Sequence, residues 1–120
     1  ASVDFLVVCA SGGEATRALI DASVLEALGP TGVLVNIARG SIVDEDALVQ
    51  ALQERRILAA GLDVFCHEPQ VTQGLLALDN VVLTPHMAST TDATVHAMLD
   101  LTFANLAAHF DGLPVPAPVS

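Results

Sequence analysis

Four largely apolar stretches recur along this chain, at residues 4–9, 33–37, 59–65 and 80–84, the first apolar continuously rather than alternately from Phe5 to Cys9. Continuous hydrophobicity predicts strands covered on both faces, as in a parallel sheet. Segments of helical spacing stand between them. Ala22–Leu28 reads as a short helix, capped by Asp21, with Leu25 and Leu28 inward and Gly29-Pro30 as its stop. Residues 45–56 read as a second, with Ala47, Leu48, Ala51 and Leu52 as the apolar stripe. Its acidic first turn, and Arg55-Arg56 in its last, would both complement the helix dipole. The loop 66–79 carries a helical turn near Leu75. Ser89 to Asp92 then supply caps for a long helix. In it Val95, Met98, Leu99, Thr102, Phe103, Leu106 and Phe110 recur at helical spacing, until Gly112 and Pro114 end it and an extended tail follows. Strands alternating with helices predict an α/β fold: about four parallel strands, right-handed crossovers and a long C-terminal helix. Gly61, inside the third strand, implies close packing.

At 120 residues the chain suffices for one compact domain, and at 52% hydrophobic and 15% charged it is core-rich. No apolar run is long enough to span a bilayer. A net charge of −10 argues against nucleic acid or an anionic membrane as partner. No signal peptide is visible, and Cys9 and Cys66 read as two buried thiols of a reducing compartment. The expected location is therefore cytoplasmic. Cys66-His67 has no further ligands at zinc spacing, so no metal site is expected. The sequence has no lysine. That removes P-loop and Schiff-base chemistry. With no acidic pair after the first strand, it also removes a phospho-receiver.

In a parallel sheet the carboxyl ends of the strands share one edge, where open α/β folds bind ligands. Ser11 follows the first run and Arg39 the second. Asp63 and Glu68 stand at the end of the third, and His86 after the fourth. An arginine offers a fork for a carboxylate, a histidine moves a proton, and a glutamate favours the imidazolium. Taken singly, each has a plain alternative: a surface ion pair for Arg39, a backbone-bonded carboxylate for Asp63, a turn residue before Pro69 for Glu68, a loop histidine for His86. Their convergence from distant positions is the argument for a site.

The segments NIARGSIVDEDAL, GLDVFCHEP and TPHMAS resemble the signatures of the D-isomer-specific 2-hydroxyacid dehydrogenases, in order and at the right spacing. Within that family LGPTGVLVNIARG and residues 103–110 are most similar to the glyoxylate and hydroxypyruvate reductases. The resemblance implies a partial Rossmann-like sheet. Residues 1–120 would be the C-terminal half of a dinucleotide-binding domain plus the returning helix, without the glycine-rich half and the substrate domain. The chain opens on Ala1 rather than Met, in keeping with a start lying upstream. The resemblance further implies that Arg39 grips the carboxylate and keto oxygen of a small 2-keto or 2-hydroxy acid. His86 would exchange a proton with that oxygen, and Glu68 would hold His86 protonated near neutral pH. Asp63 would meet the nicotinamide carboxamide. Ala10, Ile37, Ala38, Arg39, His86, Ala88 and Ser89 would line the nicotinamide half of NADP or NAD, the subgroup leaning to NADP. It implies a homodimer for the intact enzyme. Ser11 departs from the proline usual after the first strand. A different reading is a non-catalytic α/β binding or dimerisation module that keeps the family scaffold.

Overall fold

The computed structural model describes residues 3–118. Its first compact unit runs to His86 and the second from Met87, where the sequence suggested one domain. In the first unit β1 (Phe5–Val8), β2 (Val33–Asn36), β3 (Ala59–Leu62) and β4 (Val81–Leu83) form a sheet in the order β1-β2-β3-β4. All three pairings are parallel, with Val7, Val35, Gly61 and Val82 in one row.

One face of the sheet carries the core. Val8, Leu34, Ala60 and Leu62 cluster there with Leu25 and Leu28 of α1 (Ala22–Leu28) and Leu48, Ala51 and Leu52 of α2 (Glu45–Gln53). Asp21 caps α1, accepting from the Ser23 and Val24 amides at 2.9 and 3.0 Å. Asp44 caps α2 through the Ala47 amide at 3.0 Å. These caps satisfy helix-end donors that burial would leave unpaired. Leu75, buried in the four-residue α3 (Gln73–Leu76), closes the same core.

The opposite face corrects one expectation. Phe5 and Val7 are exposed, so β1 is not covered on both sides although its sequence is apolar throughout. The reason is that α1 and α2 pack their apolar sides into the single core cluster on the other face. Both cysteines are likewise exposed and free rather than buried. Each follows a buried residue, Val8 or Phe65, where the chain emerges into a loop. The second helix stops at Gln53, so Arg55 and Arg56 are not in its last turn. Arg55 takes φ 55° and pairs with Asp79 at 2.8 Å instead. Gly61 is not tight: an added Cβ would meet nothing nearer than 3.9 Å.

Two short 3-10 turns, Glu14–Thr16 and Gly40–Ile42, escaped the sequence reading because three residues show no period. They matter for placement. The Ala18 amide donates to the Ser41 carbonyl at 2.9 Å and Ile20 bridges Val43, binding the loop after β1 to the loop after β2.

The second unit is α4 (Asp92–Phe110) with its flanking turns. Thr91 caps it through the Thr94 amide at 3.2 Å, and Gly112 at φ 69° follows its end. No α4 residue is buried; Met98, Leu99, Phe103, Leu106 and Phe110 stay exposed. The extended tail is described as far as residue 118. No described helix is long and apolar enough to cross a membrane.

Candidate active site

Asn36, the last residue of β2, is 1% exposed, and both polar atoms of its side-chain amide are engaged. Oδ1 accepts the Ala38 amide at 3.1 Å, and Nδ2 donates to the Arg39 carbonyl at 3.0 Å. A buried polar side chain must be satisfied, and here the partners are the turn itself. The turn is thereby closed and Arg39 fixed at its tip. Arg39 Nη1 donates to the Ala38 carbonyl at 2.6 Å. Next in the chain, Gly40 lies directly against the Phe65–Cys66 peptide, where no side chain would fit. That contact lays the Arg39 loop on the segment leading to Glu68.

From β3, Asp63 follows at 5% exposure, its amide donating to the Asn36 carbonyl at 3.0 Å. The Thr84 hydroxyl donates to Asp63 Oδ1 at 2.5 Å. Past β4 comes His86 at φ 52°, its amide donating to the Thr84 carbonyl at 3.1 Å. Positive φ is uncommon in a non-glycine residue, though more frequent for histidine, and it collects at functional sites.

Glu68 joins two of these elements. Its Oε1 accepts the Phe65 amide at 2.9 Å, and its Oε2 lies 2.8 Å from His86 Nδ1. The side chains keep 46% (His86) and 36% (Glu68) exposure, open to a ligand. The His86 contact holds the Glu68 carboxyl below the usual range, aided by the Phe65 amide and the Arg39 charge and opposed by burial. With Nδ1 committed to Glu68, Nε2 is the ring nitrogen that could hand over a proton.

An open cavity of about 760 Å³ lies at the ends of β1 and β2, lined by Ala10, Gly12, Gly13, Ile37, Ala38 and Arg39. A second of about 320 Å³, lined by Phe65, Pro69, Leu83, Pro85 and both members of the pair, is mainly apolar. Glu68 and His86 thus share one cavity and Arg39 lines the other, near enough for its charge to act on Glu68, while Asp63 is joined to the His86 segment through Thr84. Ala88 and Ser89 belong to the second unit, exposed in the turn that Thr90 closes onto the Met87 carbonyl. Among the described residues no three metal-binding side chains cluster. Sequence reasoning missed Asn36, Gly40 and Thr84 as supports. Only Asn36 left a signal, a polar residue ending an apolar run.

Residues 1–88 match the family model described as D-isomer specific 2-hydroxyacid dehydrogenase, NAD binding domain. The chain is 51% identical to hydroxyphenylpyruvate reductase of Plectranthus scutellarioides, over 97% of this chain and 37% of that protein. A glyoxylate/hydroxypyruvate reductase of Arabidopsis thaliana is 50% identical over the same shares. Among solved structures, the NADPH-dependent glyoxylate/hydroxypyruvate reductase of Sinorhizobium meliloti, in complex with NADP and malonate, superposes with a TM-score of 0.94. It is 50% identical, over 99% of this chain and 37% of that one. The holo form of Rhodotorula graminis D-mandelate dehydrogenase gives 0.92 at 35% identity, over 98% and 34%. The chain thus spans little more than a third of the length of these relatives.

Proposed function

The chain belongs to the D-isomer specific 2-hydroxyacid dehydrogenase family, and on that premise we propose that it carries the proton-transfer half of an oxidoreductase acting on small 2-keto and 2-hydroxy acids. Reduction of glyoxylate or hydroxypyruvate is the activity its relatives' names favour. The observation that carries the reading is the Glu68–His86 contact at 2.8 Å, on the same sheet edge as Arg39. Arg39 binds the substrate carboxylate and turns toward the keto oxygen. His86 gives that oxygen a proton in reduction and takes it back in oxidation. Glu68 fixes the ring through its contact with Nδ1. In this reading residues 1–120 are the C-terminal half of the dinucleotide-binding domain with its returning helix. The glycine-rich half and the substrate domain lie outside them.

The residues present suit a nicotinamide. The cavity beside Arg39 is floored by Ala10, Ile37 and Ala38, whose small or apolar side chains and the two glycines leave room for a flat ring. Asp63, nearly buried and held by Thr84, is an acceptor for a carboxamide. A bound nicotinamide supplies hydride exchange. NADP is favoured over NAD by the Sinorhizobium meliloti relative, which is described as NADPH-dependent. A homodimer and a cytoplasmic location belong to the same proposal. The competing assignment, a non-catalytic module on the family scaffold, would leave the Arg39–Glu68–His86 group idle.

The deciding experiment joins this chain to a glycine-rich half and substrate domain from a relative and follows NADPH and NADH oxidation with glyoxylate and hydroxypyruvate. Turnover that depends on His86 is the expected result. A folded chimera that binds NADPH but reduces neither acid overturns the proposal. The 120-residue chain alone should not turn over, since catalysis needs donor and acceptor held in register.

A further inference from the structure

Glu45 stands in the first turn of α2, away from the cavity beside Arg39, yet both its oxygens reach the loop that bears Glu68. Oε1 accepts the Cys66 amide at 2.6 Å, and Oε2 accepts the Thr72 hydroxyl at 2.6 Å. The two donors bracket Glu68 in the chain. Between them His67 and Gln70 form an antiparallel bridge, the Gln70 amide donating to the His67 carbonyl at 2.9 Å. The loop is therefore closed on itself and hung on one carboxylate at both ends.

We propose that Glu45 is a positioning residue for the Glu68–His86 pair, clamping the 66–72 loop so that Glu68 is presented to His86. The inference rests on the assignment of that pair. Its physical basis is a chain of short contacts. Leu48, Ala51 and Leu52 are buried and the Asp44 cap is engaged, so α2 is firmly seated. Glu45 transmits that rigidity to Cys66 and Thr72. Glu68 then uses one oxygen on the Phe65 amide and the other on His86. Only a carboxylate supplies an acceptor to each end of the loop at once. Its charge is also favoured in a helix's first turn. The charged groups acting here are Arg39 and His86 on Glu68, and Arg17 and Asp44 beside Cys66.

The test is NMR on the 120-residue chain, following the Glu68 carboxyl and the Phe65 amide proton through an acid titration. In the wild type the Phe65 amide should track a Glu68 midpoint below the ordinary 4.5. In Glu45→Ala that midpoint should rise toward 4.5, and the Phe65 amide should stop following it. The sign is diagnostic. Removing a nearby negative charge with the loop still in place would lower the Glu68 midpoint, whereas releasing Glu68 raises it. A dispersed spectrum with the midpoint unmoved or lowered overturns the clamp. If Glu45→Ala does not fold, Thr72→Val removes one arm and leaves the helix start intact. It should move the midpoint upward, and no movement overturns the proposal equally. A wild type in which Phe65 fails to track Glu68 would bring down the pair and the clamp together. A tracking wild type with unresponsive variants brings down the clamp alone.

Discussion

Gly40 and Phe65 meet backbone to backbone: a methyl group on Gly40 would overlap the carbonyl carbon and oxygen of Phe65 and the nitrogen of Cys66. No flexible side chain can yield, so the two loops must separate. Gly40→Ala should cost about 1–3 kcal/mol or more, the usual range for forced overpacking. Gly61→Ala, with 3.9 Å of clearance to Val35, should stay within about 0.5 kcal/mol of wild type. Urea unfolding of the two variants checks the contrast, and equal stabilities would refute the close approach.

Asn36→Asp keeps the size of the side chain but replaces the Nδ2 donor with an acceptor facing the Arg39 carbonyl. A buried hydrogen bond becomes a repulsive contact, at a cost of about 1–3 kcal/mol. The Arg39 turn should loosen with it. Hydrogen exchange at the Ala38 amide, which Asn36 Oδ1 now accepts at 3.1 Å, should speed up in step.

The strands and the helix starts were legible because their signals are local: apolar runs, and Asp21, Asp44 and Thr91 just ahead of periodic segments. The shared sheet edge was legible because parallel strands bring their carboxyl ends together, so Arg39, Asp63 and His86 could be placed along it without knowing any side-chain direction. What stayed hidden depends on packing between distant segments. Gly61 looked tight because it interrupts a strand, yet it faces the open side of the sheet. Gly40 looked like an ordinary loop glycine, yet it is pressed on Phe65, 25 positions away in the sequence. The exposure of Phe5 and Val7 was illegible for the same reason, since an apolar run does not say what covers it.

Cys66 is exposed as a residue, yet its Sγ lies against the Val43 carbonyl at 3.8 Å, and its thiol is pushed up to about 11, first by burial and then by the Glu45 charge. That is two units above the ordinary 9.0, so the thiolate is about a hundredfold scarcer at pH 8. Its greater intrinsic nucleophilicity recovers about tenfold. Alkylation by iodoacetamide should therefore run about tenfold slower than for an ordinary thiol and faster in Glu45→Gln. Peptide mass spectrometry of timed samples reads both rates.

Arg39→Lys should not be mild in the chimeric enzyme. Lysine replaces a two-pronged fork with a point charge, disturbing the carboxylate and keto-oxygen contacts together. A fall in kcat/KM of about 10²–10³ is expected, the scale of one lost oxyanion contact. Keto-acid reduction within threefold of wild type would remove Arg39 from the site.

Glu68 links stability to pH and fixes the proton donor of catalysis. Its carboxyl is held below 4.5 in the folded chain, so the folded state prefers it ionised. Its stabilising contribution is therefore complete above pH 4.5 and lost as pH falls through the lowered value. In urea unfolding, the stability gap between wild type and Glu68→Gln should persist from pH 5 to 7 and close in acid. Solvent screening keeps the gap small, because both partners are partly exposed. In catalysis the same contact orients the proton donor: Glu68 Oε2 lies 2.8 Å from Nδ1 of His86 and leaves Nε2 for the substrate oxygen. Glu68→Gln keeps the shape but weakens the contact that fixes the ring, so kcat/KM for keto-acid reduction should fall, by less than the loss of His86 itself. His86→Ala should lower it by about 10²–10⁴, the worth of a positioned general acid. Measuring kcat/KM in the chimera for each variant separates the roles, and a Glu68→Gln value equal to wild type would end the pairing of Glu68 with His86.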